Sequence, residues 1–241
     1  MWLALDTSGD AASVAVGLAG TSPRAEASLH GARQHAGALV PMIDKVLREA
    51  GVDGARGLTG VLLTDGPGSF TGLRVSASVA KAMVVTRGLQ LRTAPSLLVL
   101  AAGALPRPAG PILAVLDALR GELYAAVYEF RDGTVTTHLA PMVAAPAALA
   151  AAVRPFGVKA LAGNAPEPVL ATLQQALGCA RTAAPVAGAN VLLTLLATGG
   201  ALHSVTDPRG WEPEYGRPAE AQRKWEETHG RPLPPAPGHA R

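Results

Sequence analysis

Cysteine, charged residues and aromatic residues are all scarce in this chain of 241 residues. Its single cysteine, Cys179, excludes an internal disulfide and any metal site built from several cysteines. Only 16% of the residues are charged and the formal net charge is +3. This surplus is too small to indicate a nucleic-acid-binding surface. With 4% aromatic and 49% hydrophobic residues, we expect a sizeable core built mainly from Ala, Leu and Val.

The sequence also lacks the signals of secretion, membrane insertion and metal binding. No apolar run reaches the ~18 uninterrupted residues that a membrane helix needs. The amino terminus has no basic region and reaches Asp6 at once, unlike a signal peptide. His30 and His35 are five positions apart, about 140° round a helix, which does not suit a metal-binding pair. We therefore predict a cytoplasmic protein with no membrane association and no bound metal.

Strand and helix signals divide the chain into two similar lobes and a tail. The first lobe, residues 1–104, begins with three strands and continues with an amphipathic helix near 34–50. The second lobe, residues 105–205, follows a linker with three prolines in seven residues and again begins with three strands, the third predicted over 134–139. The tail, residues 206–241, is charged and rich in proline.

Two further predictions concern the second half of the chain. The apolar run over 189–203 predicts one long helix that closes the second lobe. Within the tail, Glu212–Arg217 has the composition of an extended docking segment, and we expect disorder beyond Gly230.

The stretch from Asp65 to Arg74, with sequence DGPGSFTGLR, follows a short apolar strand and opens a nearly continuous apolar run to Val85. This order predicts a strand, a tight glycine turn and a helix, with Ser69 or Thr71 as the helix N-cap. It is not a phosphate-binding Walker A loop, because Leu and Arg follow its last glycine where Lys and Ser or Thr are required. A rigid turn without any ligand is the open alternative.

A polar turn follows the first predicted strand. It contains Asp6, Thr7 and Ser8, and Asp117 holds the equivalent place after the first strand of the second lobe. Such residues suit a phosphate or magnesium ion, so we predict a remnant of a nucleotide-binding loop at these four positions. The simpler alternative, which we favour on spacing alone, is a hairpin that uses Asp and Ser for local hydrogen bonds.

Four motifs occur in order along the chain and together resemble the bacterial TsaB (YeaZ) family over residues 1 to about 225. They are LALDTS at Leu3–Ser8, the glycine stretch at Asp65–Arg74, DALRGELY at Asp117–Tyr124 and EPEY at Glu212–Tyr215. The resemblance implies an α/β, two-lobed actin/hsp70/sugar-kinase-like fold made of two βββαβα units. It also implies a non-catalytic subunit in the formation of threonylcarbamoyladenosine at position 37 of tRNAs that read codons starting with A.

The same resemblance implies specific partners. The catalytic paralogue TsaD, which carries an H-x-x-x-H metal motif that is absent from this chain, is expected to pair with the first two helices of the first lobe. We expect the ATPase TsaE to join, tRNA to be contacted only indirectly or weakly, and the same helices to form a homodimer when the chain is alone. No stoichiometric cofactor is expected, and any nucleotide is expected at the partner interface.

The residues expected at this interface come from the glycine stretch and from the first helix. They are Gly66, Pro67, Gly68, Ser69, Phe70, Thr71, Gly72, Arg74, Leu39 and Met42. Gly72 is expected to admit a partner helix at close range, so that an arginine there would abolish pairing while leaving the fold intact. The alternatives from other classes are a stand-alone ATP-dependent kinase and, less favoured, a metalloprotease, for which H-E-x-x-H is missing.

Overall fold

The structure is a computed structural model that describes residues 1–31, 35–104, 108–182, 188–216 and 228–230. Within these ranges the chain forms two α/β units, each built on its own sheet. Four sequence-based expectations lie partly or wholly outside the described residues: the helix start at Gln34, the first part of the proline-rich linker, the end of the segment Glu212–Arg217, and the disorder beyond Gly230.

The first unit contains five strands and three helices, and a short 3-10 helix at Gly54–Gly57 precedes its fourth strand. In chain order they are β1 (Trp2–Asp6), β2 (Ala11–Gly17), β3 (Ala25–His30), α1 (His35–Glu49), β4 (Gly60–Thr64), α2 (Phe70–Arg87), β5 (Gln90–Ala94) and α3 (Ser96–Ala102).

The second unit repeats this order of elements, with a 3-10 turn at Arg154–Phe156. Its elements are β6 (Ile112–Asp117), β7 (Leu123–Arg131), β8 (Thr134–Ala144), α4 (Pro146–Val153), β9 (Ala160–Asn164), α5 (Glu167–Leu177), β10 (Ala180–Arg181) and α6 (Ala189–Leu195). A last short strand, β11 (His203–Ser204), follows.

The two sheets have the same topology. The first runs β5-β4-β1-β2-β3 and the second β10-β9-β6-β7-β8, with β11 added beside β5. In each sheet the first three strands form an antiparallel meander, while the fourth and fifth join in parallel beside the first. The predicted fold class, a two-sheet α/β protein with duplicated βββαβα units, is therefore confirmed.

Two helices lie between the sheets and the others cover the outer faces. The inner layer joins α3 and α6 to alanine-rich faces of both sheets, for example Ala4 and Ala15 in the first and Ala114 and Ala126 in the second. Alternate strand residues such as Leu3 point to the other face and pack on α1 and α2. The second sheet packs its outer face on α4 and α5. Small side chains on the inner faces let the central helices pack close to both sheets.

Two predicted elements exist in the structure but end at other residues than predicted. The helix predicted over 189–203 ends at Leu195, because a turn with Gly200 at φ +75° follows, and His203–Ser204 then pairs with β5 of the first sheet. The strand predicted over 134–139 continues to Ala144 despite Pro141. Proline is tolerated there because β8 is an edge strand whose pairing with β7 contains register shifts.

Candidate functional site

The segment that joins β4 to α2, Asp65–Ser69, forms a tight turn that we call the elbow. It contains a cis peptide bond between Gly66 and Pro67, and Gly66 has φ +115°. Ser69 is the N-cap of α2, and its hydroxyl accepts a hydrogen bond from the N–H of Gly72 at 3.2 Å. This confirms the predicted strand, turn and helix and selects Ser69 as the cap. Thr71 instead lies inside the first turn of α2 and is exposed.

The elbow packs against the turn between β1 and β2 within the same chain. The N–H of Ser69 donates to the carbonyl of Ser8 at 2.7 Å, and the hydroxyl of Thr7 donates to the carbonyl of Gly72 at 2.7 Å. A Cβ atom on Gly68 would overlap the carbonyl oxygen of Ser8, and one on Gly72 would overlap that of Thr7. The glycines are therefore required by a contact inside the chain.

This contact corrects part of the predicted interface. An arginine at Gly72 would collide with Thr7, so the expectation of an intact fold is wrong. Four of the residues predicted to contact a partner are buried in their own chain, so the structure does not support that role for them: Gly66, Pro67, Gly72 and Leu39. The others are half-buried or exposed: Gly68, Ser69, Phe70, Thr71, Arg74 and Met42.

A segment of the tail, Trp211–Gly216, lies across the elbow, and we call it the strap. The N–H of Glu214 donates to the carbonyl of Asp65 at 2.7 Å, and Pro213 is buried. A Cβ atom on Gly66 would overlap the carbonyl oxygen of Glu214. The extended docking segment predicted from the sequence is thus docked on this chain's own elbow.

The strap also holds the outer side of α2. The Lys81 ammonium lies 2.6 Å from the Glu212 carboxylate, and the ring centroids of Phe70 and Tyr215 are 4.7 Å apart. The guanidinium of Arg74 lies 4.0 Å from the centre of the Phe70 ring. Aromatic and cation–π contacts of this kind each contribute about 0.5–1.5 kcal/mol. Elbow, strap and α2 therefore form one packed surface.

Removing the Tyr215 ring is expected to weaken this surface. Tyr215→Ala should lower the free energy of unfolding by about 1–2 kcal/mol, because the contacts with Phe70 and Arg74 are lost. Urea unfolding monitored by circular dichroism measures the change. Tyr215→Phe is the matched control and should cost less, since the ring remains and the hydroxyl contacts of Tyr215 are long, at 3.4 Å. Equal losses in both variants would show that the ring contacts contribute little.

The carboxylate of Asp6 is hydrogen-bonded to groups of its own chain. Its Oδ1 atom accepts hydrogen bonds from the N–H and hydroxyl of Ser8, at 3.0 and 2.7 Å, and from the hydroxyl of Thr64 at 2.8 Å. A Cβ atom on Gly188 would overlap Oδ2. Asp6, Thr7 and Ser8 therefore come together, and they position the turn against the elbow. These contacts match the simpler sequence interpretation, in which the turn makes local hydrogen bonds.

Asp117 occupies the equivalent strand end of the second sheet. Its carboxylate accepts a hydrogen bond from the N–H of Leu119 at 2.7 Å. Leu119 and Arg120 both have positive φ values, 62° and 57°, and the Leu119 side chain is 69% exposed. Asp117 thus shapes the β6–β7 turn, and this local role differs from the tight contact that Asp6 makes with the elbow.

Asp65, which the sequence interpretation quoted but did not select as a site residue, is the carboxyl of the elbow and is half-buried. Burial raises its pKa above the ordinary value of 3.8, the Glu214 carboxylate adds to the increase, and a hydrogen bond from Thr93 and the charge of His203 oppose it. Burial, with a smaller effect from Asp65, also raises the pKa of Tyr128 in the facing sheet. The sequence signal that could have identified Asp65 is its position directly after β4, in which every residue is buried.

Stability is expected to depend on pH through Asp65. Because the folded-state pKa is raised, the contribution of this carboxyl is fully present below pH 3.8 and is lost as pH rises through the folded-state pKa. As the pH rises from about 3.5 to about 7, the natural chain should lose stability relative to Asp65→Asn, as measured by urea unfolding at the two pH values. Asp53→Asn, at an exposed site, controls for the loss of one charge. If Asp65→Asn instead lost stability relative to the natural chain over this pH range, the raised pKa of Asp65 would be contradicted.

The outward-facing sides of α1 and α2, which we call the α1–α2 face, expose two valines among polar, charged and small residues. The side chain of Val40 is 57% exposed and that of Val85 is 39% exposed. Along α2 the other exposed positions of this stripe are mostly small or polar: Thr71, Arg74, Ser78 and Ala82. The two helices pack against each other. The two valines are the exposed large apolar side chains of this face among the described residues.

In the part of the chain that the structure describes, no three His, Cys, Asp or Glu side chains lie close enough together to hold a metal ion. The side chain of His35 lies outside the described residues. Among the described helices, none combines the length and the apolar character needed to span a bilayer.

Comparison with known proteins places these features in a family. A family model described as TsaD, tRNA N6-adenosine threonylcarbamoyltransferase, matches residues 26–177, well over half of the chain. The chain is 33% identical to the tRNA threonylcarbamoyladenosine biosynthesis protein TsaB of Escherichia coli (strain K12), over 53% of this chain and 54% of that one. It is 28% identical to TsaB of Bacillus subtilis (strain 168), over 54% and 56%. The chain thus spans about half the length of the curated relatives it matches.

Solved structures give the same result over more of the chain. A Pseudomonas aeruginosa protein described as uncharacterized, with similarity to peptidase YEAZ, has a TM-score of 0.70 and 25% identity, covering 90% of this chain and 99% of that one. A structure described as YeaZ from Pseudomonas aeruginosa has a TM-score of 0.65 at 24% identity, covering 89% and 98%, and supports the fold alone. Together the comparisons confirm the resemblance to TsaB (YeaZ) proteins that the four motifs predict.

Proposed function

Since the chain belongs to the family of TsaD, tRNA N6-adenosine threonylcarbamoyltransferase, and its relatives are named tRNA threonylcarbamoyladenosine biosynthesis protein TsaB, we propose that it acts in this biosynthesis as the non-catalytic member of a pair. In this proposal it binds a TsaD-type catalytic paralogue and supports transfer of the threonylcarbamoyl group to adenosine 37. The reaction would take place in the cytoplasm, with a TsaE-type ATPase as a further partner and with tRNA contacted indirectly.

The observation that carries the proposal is the α1–α2 face. Val40 and Val85 expose apolar surface on helices whose inner sides already belong to the core. The elbow contacts α2 at its start, through Ser69, and the strap contacts it further along, at Lys81. A packed helix pair that exposes two valines offers apolar area to a second helix pair. A paralogue with the same fold offers an equivalent pair of helices. In its absence, a second copy of this chain would offer the same pair.

We assign the transfer reaction to the partner because this chain has few groups that could catalyse it. The six histidines include no H-x-x-x-H pair, the motif that the family resemblance associates with the catalytic paralogue. A stand-alone kinase is disfavoured because the contacts of Asp6 with Ser8, Thr64 and Gly188 leave little room for a magnesium ion. We further propose that the isolated chain holds no stoichiometric cofactor and that any nucleotide binds at the partner interface.

Size-exclusion chromatography with and without a purified TsaD-type paralogue tests the pairing. The proposal expects a new peak with the mass of one chain of each protein, and a homodimer or monomer peak for this chain alone. Separate elution of the two proteins at concentrations up to about 0.1 mM would reject a stable pair, since specific protein complexes commonly bind at micromolar affinity or better.

A further inference from the structure

Arg74 lies near the start of α2, and two aromatic rings pack against its guanidinium group. The guanidinium carbon is 4.0 Å from the centre of the Phe70 ring and 5.4 Å from the centre of the Tyr215 ring. The two rings also pack on each other, with centroids 4.7 Å apart, so the strap completes the surface that carries Arg74. A guanidinium group restricted in this way loses less conformational freedom when it binds an anion. Arg74 is therefore preorganised to recognise a negatively charged group.

The charge of Arg74 is not balanced by a carboxylate of the described residues. None of the ion pairs within these residues includes Arg74. Its Nε atom donates a hydrogen bond of 3.4 Å to the hydroxyl of Tyr215, which donates in turn to the Glu212 carboxylate at 3.4 Å. That carboxylate already lies 2.6 Å from the ammonium group of Lys81. A carboxylate from another molecule would therefore meet positive charge that this surface leaves uncompensated.

Arg74 borders the α1–α2 face on the side of the strap. Phe70, Arg74 and Lys81 lie within about 40° of one another around α2, at 100° per residue, and all three contact the strap. Val75 and Val79 lie on the other side of α2 and pack against the core cluster that α1 also joins. The exposed stripe of α2 is therefore flanked by α1 and by the strap, and the exposed side chain of Arg74 lies at its edge.

The acidic residues of the two helices distinguish a second copy of this chain from another partner. No Asp or Glu occurs in α2, and α1 contains Asp44 and Glu49. Each of them already has a basic partner within α1, Arg48 at 2.8 Å and Lys45 at 3.8 Å respectively. Through the same helix pair, a second copy would therefore offer Arg74 no carboxylate that lacks a basic partner. A protein of the same fold but different sequence can carry one.

We propose that Arg74 binds a carboxylate side chain of the catalytic paralogue, and that Tyr215 of the strap positions the guanidinium group for this contact. The inference rests on the proposed pairing and identifies one group that gives the pairing its specificity. Two parallel N–H···O bonds from a guanidinium group to a carboxylate require a defined orientation, which the rings of Phe70 and Tyr215 provide. Since a second copy offers no such carboxylate, the contact strengthens the pair with the paralogue more than it strengthens a homodimer.

Biolayer interferometry of the full chain against the immobilised paralogue tests the contact. Arg74→Gln should weaken binding at least about tenfold, because the partner's carboxylate is left in the interface without its cation. Raising the NaCl concentration from about 50 mM to about 500 mM should weaken binding of the natural chain more than that of Arg74→Gln, since salt screens the charge pair. Arg87→Gln is the matched control, because it removes a positive charge from the last turn of the same helix, and it should keep the affinity within about twofold.

A double-mutant cycle tests the positioning role of Tyr215. Tyr215→Leu should weaken binding about threefold in the natural chain, because the aromatic contact with the guanidinium group is lost. Tyr215→Phe keeps the ring and should retain the affinity. In the Arg74→Gln background, Tyr215→Leu should have no further effect, because the ring acts through the guanidinium group. An equal loss in both backgrounds would overturn the positioning role.

Self-association of the chain alone, measured by sedimentation equilibrium, separates the two possible partners. Arg74→Gln should leave it unchanged. The inference is overturned if Arg74→Gln binds the paralogue as tightly as the natural chain does. It is also overturned if the variant loses self-association to the same extent as paralogue binding, because a second copy would then supply the carboxylate. If the natural chain does not bind the paralogue at all, the proposed pairing is rejected together with this contact.

Discussion

Gly72→Ala should lower the free energy of unfolding by about 3 kcal/mol, a large part of the ~5–15 kcal/mol that stabilises a typical domain. The added methyl group would overlap the carbonyl oxygen of Thr7, which is backbone and cannot rotate away. The turn would have to move, and the 2.7 Å hydrogen bond from the Thr7 hydroxyl to the Gly72 carbonyl would be strained or lost. Urea unfolding followed by circular dichroism measures the effect.

Gly37→Ala is the matched control for this variant. Both glycines are the third residue of their helix, but a Cβ atom on Gly37 would meet no atom within 4 Å. Alanine is favoured over glycine inside a helix, so this control should stabilise the chain by about 0.5–1 kcal/mol. If both substitutions have the same effect, the close contact with Thr7 is not what requires a glycine at position 72.

Ala82→Arg should abolish pairing with the catalytic paralogue while leaving the fold intact. Ala82 lies on the exposed stripe of α2, between Ser78 and Val85, so an arginine there would project from the α1–α2 face. Burying an unpaired charge in an interface costs several kcal/mol, which corresponds to a loss of affinity of more than about 100-fold. Stability should change by less than about 0.5 kcal/mol, because the site is exposed and both residues favour helix. Biolayer interferometry against the immobilised paralogue measures the affinity.

Ala171→Arg provides the control on the second unit. Ala171 is also an exposed alanine in the middle of a helix, α5, and this helix covers the outer face of the other sheet. The control should bind the paralogue like the natural chain. An Ala82 variant that retains full affinity would place the interface on another surface, and equal losses in both variants would indicate a non-specific effect of the added charge.

The sequence was sufficient to predict the duplicated fold because the relevant signals are local. Short apolar runs bounded by turn residues define the strands, and Ser69 followed by an apolar run defines the start of α2. The order of these elements then repeats in the second half of the chain. The resemblance to TsaB proteins depended on the same local motifs, and the comparisons confirm it.

The role of the elbow glycines could not be predicted, because the contacts that require them join distant parts of the chain. Gly68 and Gly72 are set against Ser8 and Thr7, about sixty residues earlier in the sequence. A glycine that faces a partner and a glycine that faces its own chain have the same sequence signature. The sequence interpretation chose the partner, whereas the structure shows the internal contact.

The docking position of the strap and the end of α6 could not be predicted for a similar reason. The helix over 189–203 was predicted from continuous apolar character, which does not distinguish a long helix from a short helix, a turn and an edge strand. The strap has no regular pattern, and its position is determined by contacts with Asp65, Phe70 and Lys81, far away in the sequence. Such long-range pairing is visible only in three dimensions.

Reconstituted tRNA modification tests the central claim most directly. This chain, the TsaD-type paralogue, or both would be incubated with threonylcarbamoyl-adenylate and unmodified tRNA, and threonylcarbamoyladenosine would be measured by mass spectrometry of the digested tRNA. We predict product only when both proteins are present, and a loss of most of it when Ala82→Arg replaces the natural chain. Product formed by this chain alone, or full activity of the paralogue without it, would contradict a non-catalytic subunit that acts by pairing.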